Sequence, residues 1–383
     1  MKRMDDKLRF LYLSQDDLLK LGVTDMKRCV SVLDQMFKTI GHGDYLMGGP
    51  EEHDHGAKIF FPKKKRCEKM PVTGPDRRFT ALVCYLGGDF NVCCCKWYGS
   101  NLDNKNKGLP RSILMLTLND VETGAPLSYM SANLISATRT GASPGVAAKY
   151  LAKTNSRVLG VVGAGVINRA CVSAIAVTCP KIETIYIYDV FSHAAQRFAE
   201  YVESELGLKA VIAKDLEDCV RASDIITSAT AGDVQPEFKD DWLKEGVLIL
   251  LTGAAVLSQR FHTESLLVAD NWHMNKLMAE EYIKWESYQA GHPVSAEQVH
   301  YLGMGTSAYK LREASVLKDS DIVDLSDIAV GKVAGREDQS QKVLYISGGL
   351  PMEDAAWATT LYHDAIAQGI GQTLSVWDSP YWA

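Results

Sequence analysis

The sequence predicts an α/β chain in which a doubly wound parallel-sheet domain is inserted into an α+β domain built on an antiparallel sheet. Three observations predict it. Residues 158–350 alternate strand-like runs with helical stretches, which calls for a parallel sheet covered on both faces. Residues 78–132 carry short apolar runs separated by glycine, asparagine and proline turn signals, the pattern of an antiparallel sheet. A last helix, 353–369, follows the parallel sheet and ends at glycine. Returning that helix to the N-terminal part makes the middle of the chain an insertion. A length of 383 residues also exceeds what one core usually serves. The expected domains are therefore 1–140, with 353–383 returning to it, and 141–352.

The elements follow in order. Ser14 with Asp17 three residues on is a capping pattern that opens an amphipathic helix over 13–40. Residues 41–77 are polar and rich in glycine, proline and lysine, either a long functional loop or a pair of edge strands. Strands are expected at 79–86, 91–97, 112–118 and 127–130, then a small-residue helix at 133–153. The parallel sheet draws on 158–162, 184–188, 209–213, 224–228, 247–251, 266–269 and 342–346, while 276–335 is polar and helical. The edges of the antiparallel sheet need cover, which suits a homodimer.

Composition narrows the partners. With 46% hydrophobic and 23% charged residues the chain reads as an ordinary soluble protein. A net charge of −6 argues against nucleic acid or an anionic membrane. The basic run Lys63 to Arg66 is short and is read as a solvated loop. No apolar run approaches the roughly 18–20 residues of a membrane span, and the start of the chain shows no secretory signal. The expected location is the cytoplasm. Nine cysteines are present. Cys93, Cys94 and Cys95 are consecutive in a strand-like run, so they alternate between faces and do not converge on one metal. Together with the six scattered singly, they read as buried thiols in a reducing cytoplasm. His53-Asp54-His55 lacks a third ligand nearby, so no metal is expected, and the partner is a small molecule.

One stretch says which. Val158 to Val162 reads as a buried strand, followed by Gly163-Ala164-Gly165 and then a helix beginning Val166-Ile167. That arrangement lays a pyrophosphate on a helix N-terminus. Glycine at 163 allows the tight turn, and glycine at 165 lets the backbone approach phosphates. The third glycine of the fingerprint is replaced by Asn168, and two glycines alone are a weak signal. The following unit strengthens it. A small-residue helix spans 170–179, a strand spans 184–188, and Asp189 follows Gly165 by 24 residues, where an acid hydrogen-bonds the adenosine ribose. Residues 190–193 include no arginine for a 2′-phosphate, so NAD is expected over NADP. The bland alternative is an ordinary βαβ unit.

Cationic side chains supply the rest. Lys96 lies in a strand otherwise made of valine, cysteine and tryptophan. If it faces inward it is desolvated and fit for acid–base work or carboxylate binding; if outward it is a surface lysine. Periodicity leaves both open. Arg139 lies among small residues, with room for a bidentate hold on a carboxylate; the alternative is a structural arginine. Arg78 and Arg111 are weaker substrate-binding candidates.

Here the chain resembles a known family. The runs 134–143 and 146–152, together with Lys96-Trp97-Tyr98-Gly99-Ser100, Ser223 to Thr230, Gly335-Arg336-Glu337-Asp338 and Ser347 to Asp354, resemble the ornithine cyclodeaminase/μ-crystallin family in order and across nearly the whole chain. The resemblance implies a dimerising substrate domain with a Rossmann domain. It also implies NAD(P) as cofactor and interconversion of amino and imino acids by hydride transfer at the α-carbon. It places the carboxylate arginine on Arg139 and the active-site lysine on Lys96. The cofactor would be held by Thr140, Gly163, Ala164, Gly165, Val166, Ile167, Asp189, Ser228, Ala229 and Thr230. The nicotinamide side would fall at Ser347-Gly348-Gly349, with Gly349 at the substrate. One departure matters: where cyclodeaminases carry a catalytic aspartate, this chain has Ala255, and a methyl group shuttles no proton. A branch that oxidises an amino-carboxyethyl-glutamate adduct is similar in also lacking that acid. It further shares Arg111, the 335–338 run and the ending Gly371-Gln372-Thr373-Leu374. The expected function is NAD-dependent oxidation or reduction at the C–N bond of an amino acid or opine-like adduct. The alternatives are a cyclodeaminase that recycles NAD, or a ketimine reductase or NAD(P)H-binding protein of the μ-crystallin kind.

Overall fold

The computed structural model describes residues 7–74, 76–230 and 234–382. These residues form two compact units, one drawn from the described parts of 1–25, 43–136 and 351–383, the other from those of 26–42 and 137–350.

The first unit is built on an eight-stranded sheet. Its strands are β1 (Leu8–Leu13), β2 (Tyr45–Met47), β3 (Ala57–Phe60), β4 (Arg78–Leu86), β5 (Val92–Ser100), β6 (Ser112–Asn119), β7 (Pro126–Ser131) and a C-terminal strand, Gln372–Trp377. The order runs from the C-terminal strand through β1, β7, β6, β5 and β4 to β2, with β3 also pairing β4. The polar 41–77 segment thus supplies two edge strands. The sheet is not wholly antiparallel, since β1 runs parallel to β7. Neither β1 nor the C-terminal strand stands out in the sequence, the latter because every residue in it is exposed.

Alternation along β4, β5 and β6 sets the two faces. Leu82, Leu86, Val92, Cys94, Lys96, Leu116 and Leu118 are buried. On that side the sheet packs against the helix Pro351–Gln368, whose first nine residues are all buried. Phe79, Val83, Trp97, Ile113 and Tyr129 are exposed, with Phe79 and Trp97 stacked at 5.6 Å.

Helix formation near the N-terminus follows the predicted cap but not the predicted length. Ser14 and Asp17 make the reciprocal capping box of α1 (Gln15–Lys20). The helix then stops, with Gly22 at φ 76°, and α2 (Met26–Gly41) begins separately. The expected first domain, 1–140, contains α2, yet α2 clusters with the second unit. Side chains explain why. Asp34 of α2 accepts from Tyr150 at 2.6 Å and pairs with Lys149 at 3.0 Å, both on α3 (Asn133–Leu151). A Cβ on Gly41 would lie 2.4 Å from the Ser326 carbonyl oxygen, so the backbones meet there.

The second unit is built on an eight-stranded parallel sheet: β8 (Val158–Val162), β9 (Thr184–Tyr188), β10 (Lys209–Ile212), β11 (Ile225–Ser228), β12 (Leu248–Leu251), β13 (Leu266–Ala269), β14 (Ile322–Asp324) and β15 (Val343–Ile346). Their order is β10-β9-β8-β11-β12-β15-β13-β14. The strand β14 lies in the stretch 276–335, which the sequence reads as polar helices with acidic connections and no strand. Because the chain winds outward from β8 in both directions, the switch point lies between β8 and β11, where such sheets open a crevice at their carboxyl ends. β11, β12 and β15 are buried throughout, as expected of a sheet covered on both faces. Glycine brings α3 close to α4 (Val166–Thr178): a Cβ on Gly141 would lie 2.3 Å from that of Ala170. Among the described residues no helix is long and apolar enough to cross a membrane.

Candidate active site

The glycine turn of the second unit is fixed from several sides. Gly163 has φ 94°, and a Cβ there would lie 2.8 Å from the Ala229 carbonyl oxygen, so the position needs glycine twice over. Gly165 is different. Its φ of −96° suits any residue, and an added Cβ would meet nothing within 4 Å. The fold itself therefore does not require glycine at 165, whereas a phosphate approaching the backbone would. Gly165 also stands at the N-cap of α4 and offers no side-chain cap, followed by exposed Val166 and half-buried Ile167. Helix dipole and N–H groups are thus left for an anion.

Asp189, at the end of β9, accepts from the Ala164 N–H at 2.7 Å and the Phe191 N–H at 2.8 Å. It thereby joins the glycine turn to the end of the next strand. Asn168, in place of the third glycine, is fully buried. Its amide donates to the carbonyls of Val162 and Gly163 and its oxygen accepts from Thr227 at 2.9 Å. The substitution that weakens the sequence fingerprint is what pins the turn. The Ser228-Ala229-Thr230 segment lies against Gly163, and the Ser228 hydroxyl is buried without a hydrogen-bond partner among the described residues. An open helix N-terminus, a glycine not demanded by the fold and an orphaned buried hydroxyl together fit a dinucleotide.

In the same unit Arg139 is 6% exposed on α3, followed by half-buried Thr140. A Cβ on Gly349 would lie 2.9 Å from the Arg139 Nη1, and Gly349 has φ 86°. Its N–H donates to Asp270 at 2.7 Å, while the other Asp270 oxygen accepts from the Asn271 N–H and the Asn275 amide. Asp270 thus holds the 347–349 turn beside the guanidinium.

In the first unit the open question about Lys96 is decided: it faces inward, at 2% exposure, and its ammonium pairs with Asp354, which is fully buried. Ser136 lies 3.4 Å from the same nitrogen. Two residues along β5, Tyr98 has the Lys96 ammonium 6.0 Å and the Arg78 guanidinium 5.9 Å from its ring centre. Arg78 in turn pairs with Asp76, which also takes the Arg111 Nε at 2.6 Å and the Ser100 hydroxyl. Asp354, Lys96, Tyr98, Arg78, Asp76 and Arg111 therefore form one chain of contacts.

Sequence reasoning missed Asp76, Tyr98, Asp270 and Asp354. Asp354 had a signal, an acid in the first turn of an otherwise apolar helix. Tyr98 had one too, being two residues from Lys96 on a strand. Asp76, at φ 54°, follows no recognisable pattern. The cysteines are not all buried as expected, since Cys67 and Cys93 are exposed; Cys94 is held well above the ordinary thiol range by its hydrogen bond to Cys84 and by burial. Among the described residues no group of three metal-ligating side chains gathers.

A model of the ornithine cyclodeaminase/mu-crystallin family matches residues 22–369, and the chain belongs to that family. It is 25% identical over 370 residues to the N-((2S)-2-amino-2-carboxyethyl)-L-glutamate dehydrogenase of Staphylococcus aureus, covering 96% of this chain and 98% of that one. It is 28% identical over 284 residues to the alanine dehydrogenase of Archaeoglobus fulgidus, covering 73% and 79%. The Δ1-pyrroline-2-carboxylate reductase of Thermococcus litoralis, solved with NADH and L-proline, superposes with a TM-score of 0.74 at 28% identity, covering 95% of this chain and 99% of that one.

Proposed function

We propose that this chain is an NAD-dependent oxidoreductase acting on the C–N bond of an amino acid or an opine-like amino-acid adduct. The observation that carries the reading is the open glycine turn at 163–165 in a chain that also holds Arg139 and Lys96 buried. Relatives along nearly its whole length are dehydrogenases and reductases of amino and imino acids.

The nicotinamide, when bound, accepts or returns a hydride at the substrate α-carbon. The chain's own residues do the rest. The α4 N-terminus and Gly163, Ala164 and Gly165 receive the pyrophosphate, and Ser228, Ala229 and Thr230 line its passage. Asp189 takes the ribose hydroxyls, and its charge with no arginine at 190–193 favours NAD over NADP. Arg139 clamps the α-carboxylate beside Gly349, with Thr140 toward the cofactor. Lys96 is the acid–base group or a second anchor. Arg78 and Arg111 suit a further carboxylate of a larger substrate. A cyclodeaminase course has less support, since Ala255 offers no carboxylate and the Asp270 oxygens are already engaged.

The exposed apolar face made by Phe79, Val83, Trp97, Ile113 and Tyr129 supports a homodimer, because monomers rarely leave a contiguous patch of large side chains bare. A one-protomer mass in sedimentation at micromolar concentration would remove that part. The cytoplasm remains the expected location.

Two measurements test the function. Following NADH absorbance across amino acids, opine-type adducts and cyclic imines should reveal net redox turnover. Ammonia release without NADH change would instead mark a cyclodeaminase. Asp189→Ala should weaken NAD binding by about 1–3 kcal/mol through loss of charged hydrogen bonds. Unchanged affinity would place the ribose elsewhere.

A further inference from the structure

Hydride loss from an amino acid needs a base, because the substrate nitrogen arrives as an ammonium and must give up a proton before its lone pair can form the C=N bond. Lys96 is poorly placed to be that base. Its ammonium is paired with a carboxylate that is itself fully buried, and a proton leaving Lys96 would strand that charge in the interior. The same chain of contacts holds a second proton-carrying group. Tyr98 lies on the same face of β5 as Lys96, with two cations at about equal distance from its ring centre.

We propose that Tyr98 is the proton-transfer residue and that Lys96, fixed by Asp354, serves as the charged neighbour of its ring. The proposal rests on the dehydrogenase reading above. In the oxidative direction the Tyr98 phenolate removes one N–H proton from the substrate ammonium. The α-carbon C–H bond then breaks, its electron pair leaving as hydride to the oxidised nicotinamide nucleotide while the nitrogen lone pair forms the C=N bond. The substrate loses two electrons, the nucleotide gains them, and the proton rests on the phenol oxygen. In the reductive direction the phenol returns that proton to nitrogen.

The surroundings of Tyr98 agree with this role. On β4 it faces Thr80 across the ladder, with Arg78 two residues before; on β6 it faces apolar Leu114. Lys96 and Ser100 flank it on its own strand. Asp354 stands behind Lys96, and Asp76 behind Arg78 and Ser100. Burial pushes the phenol up, but the charges of Arg78 and Lys96 act against it, and the group is held below the ordinary phenol range.

Tyr98→Phe removes the hydroxyl and keeps the ring. In the wild type, ultraviolet titration should show one of the 16 tyrosines ionising ahead of the rest, and that component should vanish in the variant. This readout needs neither cofactor nor turnover. In the NADH assay, kcat for amino-acid oxidation should fall by roughly 10²–10⁴-fold, with KM moved less than about threefold. The rising limb of the wild-type pH profile should disappear. A limb and kcat retained in Tyr98→Phe, with the wild type active, would overturn the role of Tyr98 alone, as would the absence of an early-ionising tyrosine. A wild type that transfers no hydride with any compound in the panel would overturn the dehydrogenase reading and this proposal with it.

Discussion

Arg139→Ala is expected to lower kcat/KM by roughly 30- to 5,000-fold while leaving NADH affinity within about threefold. Truncating one member of a buried, hydrogen-bonded charge pair costs about 2–5 kcal/mol, and on the role proposed for Arg139 that cost falls on the substrate carboxylate. Arg139 is 6% exposed, so little water is available to take over its hydrogen bonds. Arg139→Lys should fail nearly as badly, because an ammonium cannot reproduce the planar fork. The contact with Gly349 adds a second consequence. A shorter side chain at 139 removes the wall against which the 347–349 turn rests, so some of the loss should appear in kcat as well as KM. Stopped-flow NADH binding and steady-state rates on the same preparation separate the two. If affinity for NADH collapses with the rate, Arg139 serves the nucleotide site and not the substrate.

The second large effect is on stability. Asp354→Ala leaves the Lys96 ammonium at 2% exposure without its carboxylate. Removing one partner of a buried ion pair costs about 3–5 kcal/mol, which should show as a clear fall in the urea midpoint. Replacing both partners by apolar residues of similar size, Lys96→Met with Asp354→Leu, should recover most of that loss, since nothing charged then remains to be desolvated. Activity should not recover with it. A double variant no more stable than Asp354→Ala alone would mean that the fold needs the pair itself. A double variant with wild-type turnover would remove Lys96 from the chemistry.

Much of the fold is written locally in the chain. The alternation of β8 through β13 with helices, the reciprocal cap at Ser14 and Asp17, and the glycine ending at 369 all depend on residues within a turn or two of each other. Period and cap chemistry therefore expose them. The same holds for the turn at 163–165, whose glycines and following acid lie within one βαβ unit. Asn168 shows the limit of a motif: as a letter it spoils the fingerprint, and as a buried amide it bonds both carbonyls of the turn.

What the sequence by itself determined was the parallel sheet, the place of the glycine turn and the cationic residues worth following, because each is announced by spacing along the chain. Only tertiary structure decided which way Lys96 faces and that its partner is Asp354, 258 residues away. The same is true of the grip of Asp76 on Arg78 and Arg111, the parallel pairing of β1 with β7, and the place of α2 with the second unit through Asp34. These depend on charges and backbones that meet only after the chain has closed long loops. A buried charge selects its partner by the cost of leaving water, not by any period in the sequence.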